Sequence, residues 1–270
     1  MSAAVSSLLS SGLAASVWRG VDLGHAGAPV LRSGWPRLDA ELPGGGWPCA
    51  SLTELLVPRG ALLEWRLLGT ALRAALRAGG RLVLVGPPAV PYLPGLQEQG
   101  IDPAQLVWVR SREAGQSLWA AEQVLRAGGA AAVLVWLPAC RAEALRRLHA
   151  HAQDGRAPVF ALRPEQARGE ASPAPLRVRA RPGEAWELCV QLLKRRGPAH
   201  EQELRLASRP AGLEQAILAA PGDAWSLGVR HGRDGQILDE ALGEASGEAG
   251  RAPAWEHGDA VGRAVGMRLA

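Results

Sequence analysis

Lysine is nearly absent. Lys194 is the only one in 270 residues, and every other residue among the 30 Lys and Arg is arginine. Any chemistry that needs a lysine elsewhere in the chain, as a phosphate ligand or a Schiff base, is therefore excluded. Cysteine is scarce too: Cys49, Cys140 and Cys189 lie far apart with no CxxC pair. That spacing suits neither a disulfide framework nor a zinc site, and the expected role of each is a small core hydrophobe. No apolar run approaches the roughly 18 residues of a membrane span. The opening MSAAVSSLLSSGLAASVWRG has no basic leader and no long apolar block, so it reads poorly as a secretory signal. A soluble, cytoplasmic protein with no membrane contact is expected. Phenylalanine and tyrosine occur once each, against ten tryptophans. No Ser-His-Asp, Cys-His or paired-carboxylate arrangement stands out.

What is present is a chain with 47% hydrophobic residues, enough for a sizeable core. The net charge of +4 and pI near 9.6 permit nucleic-acid contact without requiring it. Residues 3–20 predict a short amphipathic helix, and GHAGAPV a linker. SLTELL (51–56) reads as a buried strand, and 61–78 as a helix stopped by Gly79-Gly80. RLVLVG (81–86) and AAAVLVWL (130–137) are continuous apolar runs of the kind found in parallel strands buried on both faces. Helices at 116–127 and 141–153 and a strand at 157–162 complete an alternation that predicts a parallel sheet with helical crossovers. The segments 175–181, 185–196 and 201–207 then read as strands without intervening helices. The turn Gly197-Pro198 suggests an antiparallel ribbon on the sheet edge. Beyond Ser208 the composition becomes small, polar and glycine-rich, as in a flexible tail. The expected organisation is an N-terminal helix and linker (1–30), a core (31–207) and a tail (208–270).

The stretch VLRSGWPRLDAELPGGGWPCA (30–50) resembles the entry to the core of RecA-type recombinases. Ser33-Gly34, Leu38-Asp39, Gly45-Gly46, Pro48 and Glu54 stand at matching places. A narrower likeness runs through SVWRG, LDAELPGGGWP, LTELL, LVGPP with PYLPGL, LWAAEQVLRAGG, AVLVWLP, ALRRL and LLKRRG, over residues 15–198. In these words the chain resembles the RecA-like ImuA proteins of bacterial translesion-synthesis cassettes, which are related to SulA. The resemblance implies an α/β, RecA-like core: a mostly parallel twisted sheet flanked by helices, an antiparallel edge ribbon and a degenerate nucleotide site.

A P-loop, G-x-x-x-x-G-K-[ST], needs glycines so that backbone amides face the phosphates, a lysine for the β and γ phosphates, and a hydroxyl for magnesium. Registered after TEL, the loop puts Val57 and Leu62 at the glycines, Leu63 at the lysine, and Glu64 and Trp65 where hydroxyls belong. The Walker B strand presents Trp136 in place of an aspartate, and the water-activating glutamate maps near Pro88. The expectation is therefore no cofactor and no ATP chemistry. We expect Trp136, Leu62 and Leu63 to fill the vacated pocket. Packing is likewise expected for Trp47, Trp65, Trp108 and Trp119.

Two basic regions remain. Helix 141–153 displays Arg141, Arg146 and Arg147, with His149 and His151, and reads as a solvated face rather than a metal site. Arg177, Arg179 and Arg181 with Lys194, Arg195 and Arg196 form the densest cluster. It reads as a charged edge strand protected from aggregation, with an acidic partner or DNA backbone as the functional readings. Arg163 and Arg168 are the only bases in RPEQARGEASPAP, which occupies the place of a recombinase DNA loop. Recombinase-like DNA binding is accordingly not expected. The candidate interaction surface comprises Trp18, Arg19 and the six-residue basic cluster.

The resemblance implies a non-catalytic accessory factor of SOS-induced translesion synthesis, with nucleoid association on DNA damage. Implied partners are ImuB (an inactive relative of Y-family polymerases), RecA, and, through the complex, an error-prone polymerase III alpha-type subunit. Any DNA contact is weak or indirect. The alternative is a SulA-like division inhibitor that binds FtsZ.

Overall fold

The computed structural model describes residues 29–111, 113–197 and 202–209. The predicted N-terminal helix, Trp18, Arg19 and nearly all of the tail lie outside them. The chain enters through a two-residue strand β1 (Val30–Leu31), which pairs antiparallel with β2 (Trp47–Pro48). Between them the short helix α1 (Pro36–Asp39) closes a local hydrogen-bonded knot. The Ser33 backbone N–H donates to the buried Asp39 carboxylate at 2.8 Å, and the Trp35 N–H donates to Ser33 Oγ at 3.0 Å. This gives the Ser-Gly…Leu-Asp spacing a physical meaning. Gly34 has φ +88°, and a Cβ there would lie 2.4 Å from Thr70 Cγ2. Gly46 is extended, but a Cβ would meet the Leu31 carbonyl oxygen at 2.7 Å.

The main sheet is built from β3 (Ser51–Val57), β4 (Arg81–Val85), β5 (Leu106–Val109), β6 (Ala130–Trp136), β7 (Pro158–Pro164), β8 (Leu176–Pro182), β9 (Glu187–Lys194) and β10 (Glu203–Ala207). Their order is β10-β9-β8-β3-β7-β6-β4-β5. β8 through β5 are parallel, while β9 is antiparallel to both its neighbours. The parallel sheet and the antiparallel ribbon predicted from sequence are both present. β5 and the helix α3 (Leu93–Glu98) were not foreseen. β5 is a four-residue edge strand, half-buried at every position, so it carries no alternation to read.

The side-chain period of two distributes each strand between two cores. Leu82 and Leu84, Ala132 and Leu134, and Phe160 and Leu162 face α2 (Glu64–Arg77), with Leu67, Leu68, Leu72 and Leu76. Val83 and Val85, Val133 and Val135, and Val159 and Ala161 face α4 (Ala114–Ala127) and α5 (Ala142–Gln153). The result is a three-layer α/β molecule. Trp47 is fully buried and packs edge-on to Phe160 with centroids 5.6 Å apart. Trp65, Trp108 and Trp136 are half-buried. Trp119 departs from expectation: it is 48% exposed, because it occupies the outer face of α4. Among the described residues no helix is long and apolar enough to cross a membrane.

Candidate functional site

In an open parallel sheet ligands collect at the carboxyl ends of the strands, beside the helix that follows the first. Here that place is the junction Pro58–Leu63 between β3 and α2. The Ala61 N–H donates to the Pro58 carbonyl at 3.1 Å, and Gly60 has φ +76° with open space around it. The junction is therefore a short turn and not a cradle of inward-facing amides. Leu63 is buried (4% exposed). Val57, Trp65 and Trp136 pack against the same core as Leu63. Leu62 does not: it is 49% exposed, which corrects the expectation that it fills the vacated pocket. Pro88 is exposed on the loop after β4.

Glu64 is the first residue of α2 and only 5% exposed. Burial pushes its carboxyl above the usual carboxylate range, partly offset by its own backbone N–H. The Glu64 carboxyl thus lies at the N-terminus of α2, against its own backbone N–H.

The sheet also holds a charge network that sequence reasoning missed. Glu54, fully buried in mid-β3, accepts from Arg163 Nη1 at 2.7 Å and Arg177 Nε at 2.6 Å. Arg163 Nη2 continues to Glu170 at 2.7 Å and to the Cys140 carbonyl at 3.2 Å. Burial pulls the Arg163 pKa down, but its bonds to Glu170 and Glu54 outweigh this and the net shift is upward. Arg177 Nη2 donates to the Ala167 carbonyl at 2.9 Å. The register explains the arrangement: Glu54 sits directly opposite Arg177 on β8, and Arg163 is two residues beyond its β7 partner Ala161. The signal was legible in principle, since a glutamate inside an otherwise apolar buried strand requires a cationic partner.

Packing engages most of the basic cluster, while Arg196 stays exposed. Arg177 is buried in the network and is no surface residue. Arg179 pairs with Glu165, and Arg181 with Glu203 at 2.6 Å. Arg195 pairs with Glu41 at 2.8 Å, and Lys194 donates to the Ser172 carbonyl at 2.9 Å. Arg163 is likewise buried, so of the two bases predicted for the 163–175 loop only Arg168 is exposed. On α5, Arg147 pairs with Glu122 at 3.2 Å and His151 with Arg126 at 3.3 Å. Among the described residues no group of three metal-ligating side chains converges.

No family model matches the chain. Over 129 residues it is 35% identical to Protein ImuA of Caulobacter vibrioides, in the sequences of two strains, covering 44% of this chain and 51% of the relative. The likeness is to ImuA. The chain is also 34% identical over 76 residues to the cell division inhibitor SulA of Edwardsiella piscicida, covering 28% of this chain and 45% of SulA. It thus spans about half the length of the curated relatives it matches, ImuA somewhat more than SulA.

Proposed function

We propose that this chain is a nucleotide-free, RecA-like protein of the ImuA type, a non-catalytic accessory factor of SOS-induced translesion synthesis. It acts by binding ImuB and RecA within an error-prone polymerase complex. The observation that carries the reading is the ImuA likeness over 129 residues. The RecA-like assignment draws support from the central position of β3, between β7 and β8, and from the ribbon β8–β10 at one edge of the sheet. The pseudo-ATPase assignment draws support from Leu63 and Glu64, buried where a lysine and a hydroxyl would be needed. The domain reading is a core over 31–207 followed by a partner-binding tail from Ser208.

The test is capture of purified ImuB and RecA by the full chain, beside ultraviolet-induced mutation frequency in a deletion strain. We expect capture of both and a fall in induced mutation. Failure to capture either, with mutation frequency unchanged, would overturn the proposal. The 34% identity to SulA favours one second reading, a division inhibitor acting on FtsZ. Filamentous cells on overexpression, with no effect on mutation frequency, would select it.

A further inference from the structure

Among the described residues the large apolar side chains left exposed are Leu62, Val90, Tyr92, Leu93, Trp119 and Trp186. They are not scattered. Leu62 lies in the turn after β3, and Val90, Tyr92 and Leu93 follow β4. Trp119 is in the second turn of α4, after β5, and Trp186 is in the turn between β8 and β9. All six therefore follow the carboxyl ends of parallel strands, and none lies at the amino ends. Single apolar residues spread over a surface need no explanation, whereas their gathering at one end of a molecule marks a contact surface.

Two of these side chains are fixed in their outward pose. Tyr92, 74% exposed, stands over Gly95, where a Cβ would lie 2.8 Å from Cδ1 of the ring. Its segment carries Pro87, Pro88, Pro91 and Pro94, each of which restricts the backbone. Trp186 has φ +67°, in the left-handed region that bulky residues avoid. Its carbonyl is held there by Ser208 N–H at 3.1 Å, Ser208 Oγ at 2.6 Å and Arg66 Nη2 at 2.9 Å. Such pre-ordering lowers the cost of docking. Cations occupy the middle of the same row. The strand order at this end is β8-β3-β7-β6-β4-β5. Between the apolar groups at its two ends stand Arg59 after β3, Arg168 after β7 and Arg141 after β6. All three are exposed, and none is paired with a carboxylate. The neighbouring Glu165 and Glu170 are taken by Arg179 and Arg163. Glu113 and Glu184 follow β5 and β8, at the two ends of the row.

We infer that the carboxyl end of the sheet docks an amphipathic helix of a protein partner, with apolar residues at both ends and carboxylates in its middle. Five strand spacings of about 4.8 Å make the row about 24 Å wide, which about 16 residues of helix span at about 1.5 Å each. An extended peptide gains little here, because strand ends present no free edge to pair with, while a helix satisfies its own backbone. The aliphatic Leu62, Val90 and Leu93 offer the bases of a nucleic acid no stacking surface, which favours a protein. The face is defined by exposure and charge, and it stands whether or not the ImuA reading does.

The test is a fluorescence-anisotropy titration of the full chain with the labelled peptide Leu-Leu-Ala-Ala-Leu-Glu-Asp-Glu-Glu-Asp-Glu-Leu-Ala-Ala-Leu-Leu, beside its analogue with Gln and Asn in place of Glu and Asp. We expect saturable binding of the acidic peptide tighter than about 1 mM. The neutral analogue should bind at least fivefold more weakly. Exposed positions supply variants that leave the core untouched: Tyr92→Ala removes an apolar anchor, and Arg168→Glu reverses the central charge. Each should weaken binding at least fivefold at unchanged melting temperature. Arg205→Glu, on the remote strand β10, should bind as the parent does. The inference is overturned by absence of saturable binding, by equal binding of the neutral peptide, or by parental affinity in Tyr92→Ala or Arg168→Glu. An equal loss in Arg205→Glu would also overturn it, since binding would then follow net charge. Displacement of the peptide by a single-stranded oligonucleotide would overturn it in favour of nucleic acid, and parental self-association abolished by Tyr92→Ala would do so in favour of a second copy.

Discussion

Glu64 has a consequence for stability that its position predicts. Its pKa in the folded chain is raised by burial, so the folded state favours the protonated form more than the unfolded chain does. The sign follows from linkage. Below the unfolded carboxylate pKa the side chain is neutral in both states and imposes no charge penalty. As pH rises through the folded pKa, charging a buried group costs stability. Glu64→Gln should therefore be more stable than the parent at neutral pH, and the difference should shrink as pH falls through the carboxylate range. Urea unfolding of both proteins at acid and neutral pH checks this, and a larger advantage at acid pH would refute it.

At the scale of elements, the Glu54 network ties three strands and a loop together. Glu54 on β3 holds Arg163 on β7 and Arg177 on β8, and these two arginines hold the 165–170 segment through Glu170 and the Ala167 carbonyl. Removing one partner of a buried ion pair leaves uncompensated charge and costs about 3–5 kcal/mol, against about 0–1 kcal/mol for an exposed pair. The bond between Arg205 and Glu187, 3.6 Å long with Arg205 66% exposed, is of the second kind. Glu54→Gln should thus lower the unfolding free energy by about 3–5 kcal/mol and speed tryptic cleavage at exposed Arg168, while Arg205→Ala should change it by under about 1 kcal/mol. Equal effects of the two in denaturant melts would show that the network contributes little. α2 is secured separately: Arg66 donates to Ser208 Oγ at 2.6 Å and to the Trp186 carbonyl at 2.9 Å, with its guanidinium 5.4 Å from the Trp186 ring. These contacts tie the first turn of α2 to the ribbon.

For the whole molecule, the expectation is a protein indifferent to nucleotide. A ligand that binds only the folded state at 100 times its Kd would add about 2.7 kcal/mol of stability. Millimolar magnesium-ATP should leave the melting temperature of the full chain unchanged and give no phosphate release. A saturable rise in melting temperature would overturn the nucleotide-free reading. At the end of β3, Leu63 is buried and the half-buried Val57, Trp65 and Trp136 pack against the same core.

Much of this was available from sequence, because it rests on local pattern. Apolar runs at 81–86 and 130–137 announce parallel strands through burial on both faces, and Lys194, the single lysine, leaves none for the turn after β3. The alternation Arg177, Arg179, Arg181 fixed those three side chains on one face of a strand. Which carboxylates meet that face depended on register between segments far apart in the chain: Glu54 from β3, Glu165 from the loop before β8, and Glu203 from β10. A cluster that reads as free positive surface along the chain is mostly neutralised in space, because ion pairing is decided by strand neighbours that linear spacing does not encode. The exposure of Leu62 belongs to the same class: it depends on where one chain segment ends against another, and only the tertiary structure decides that.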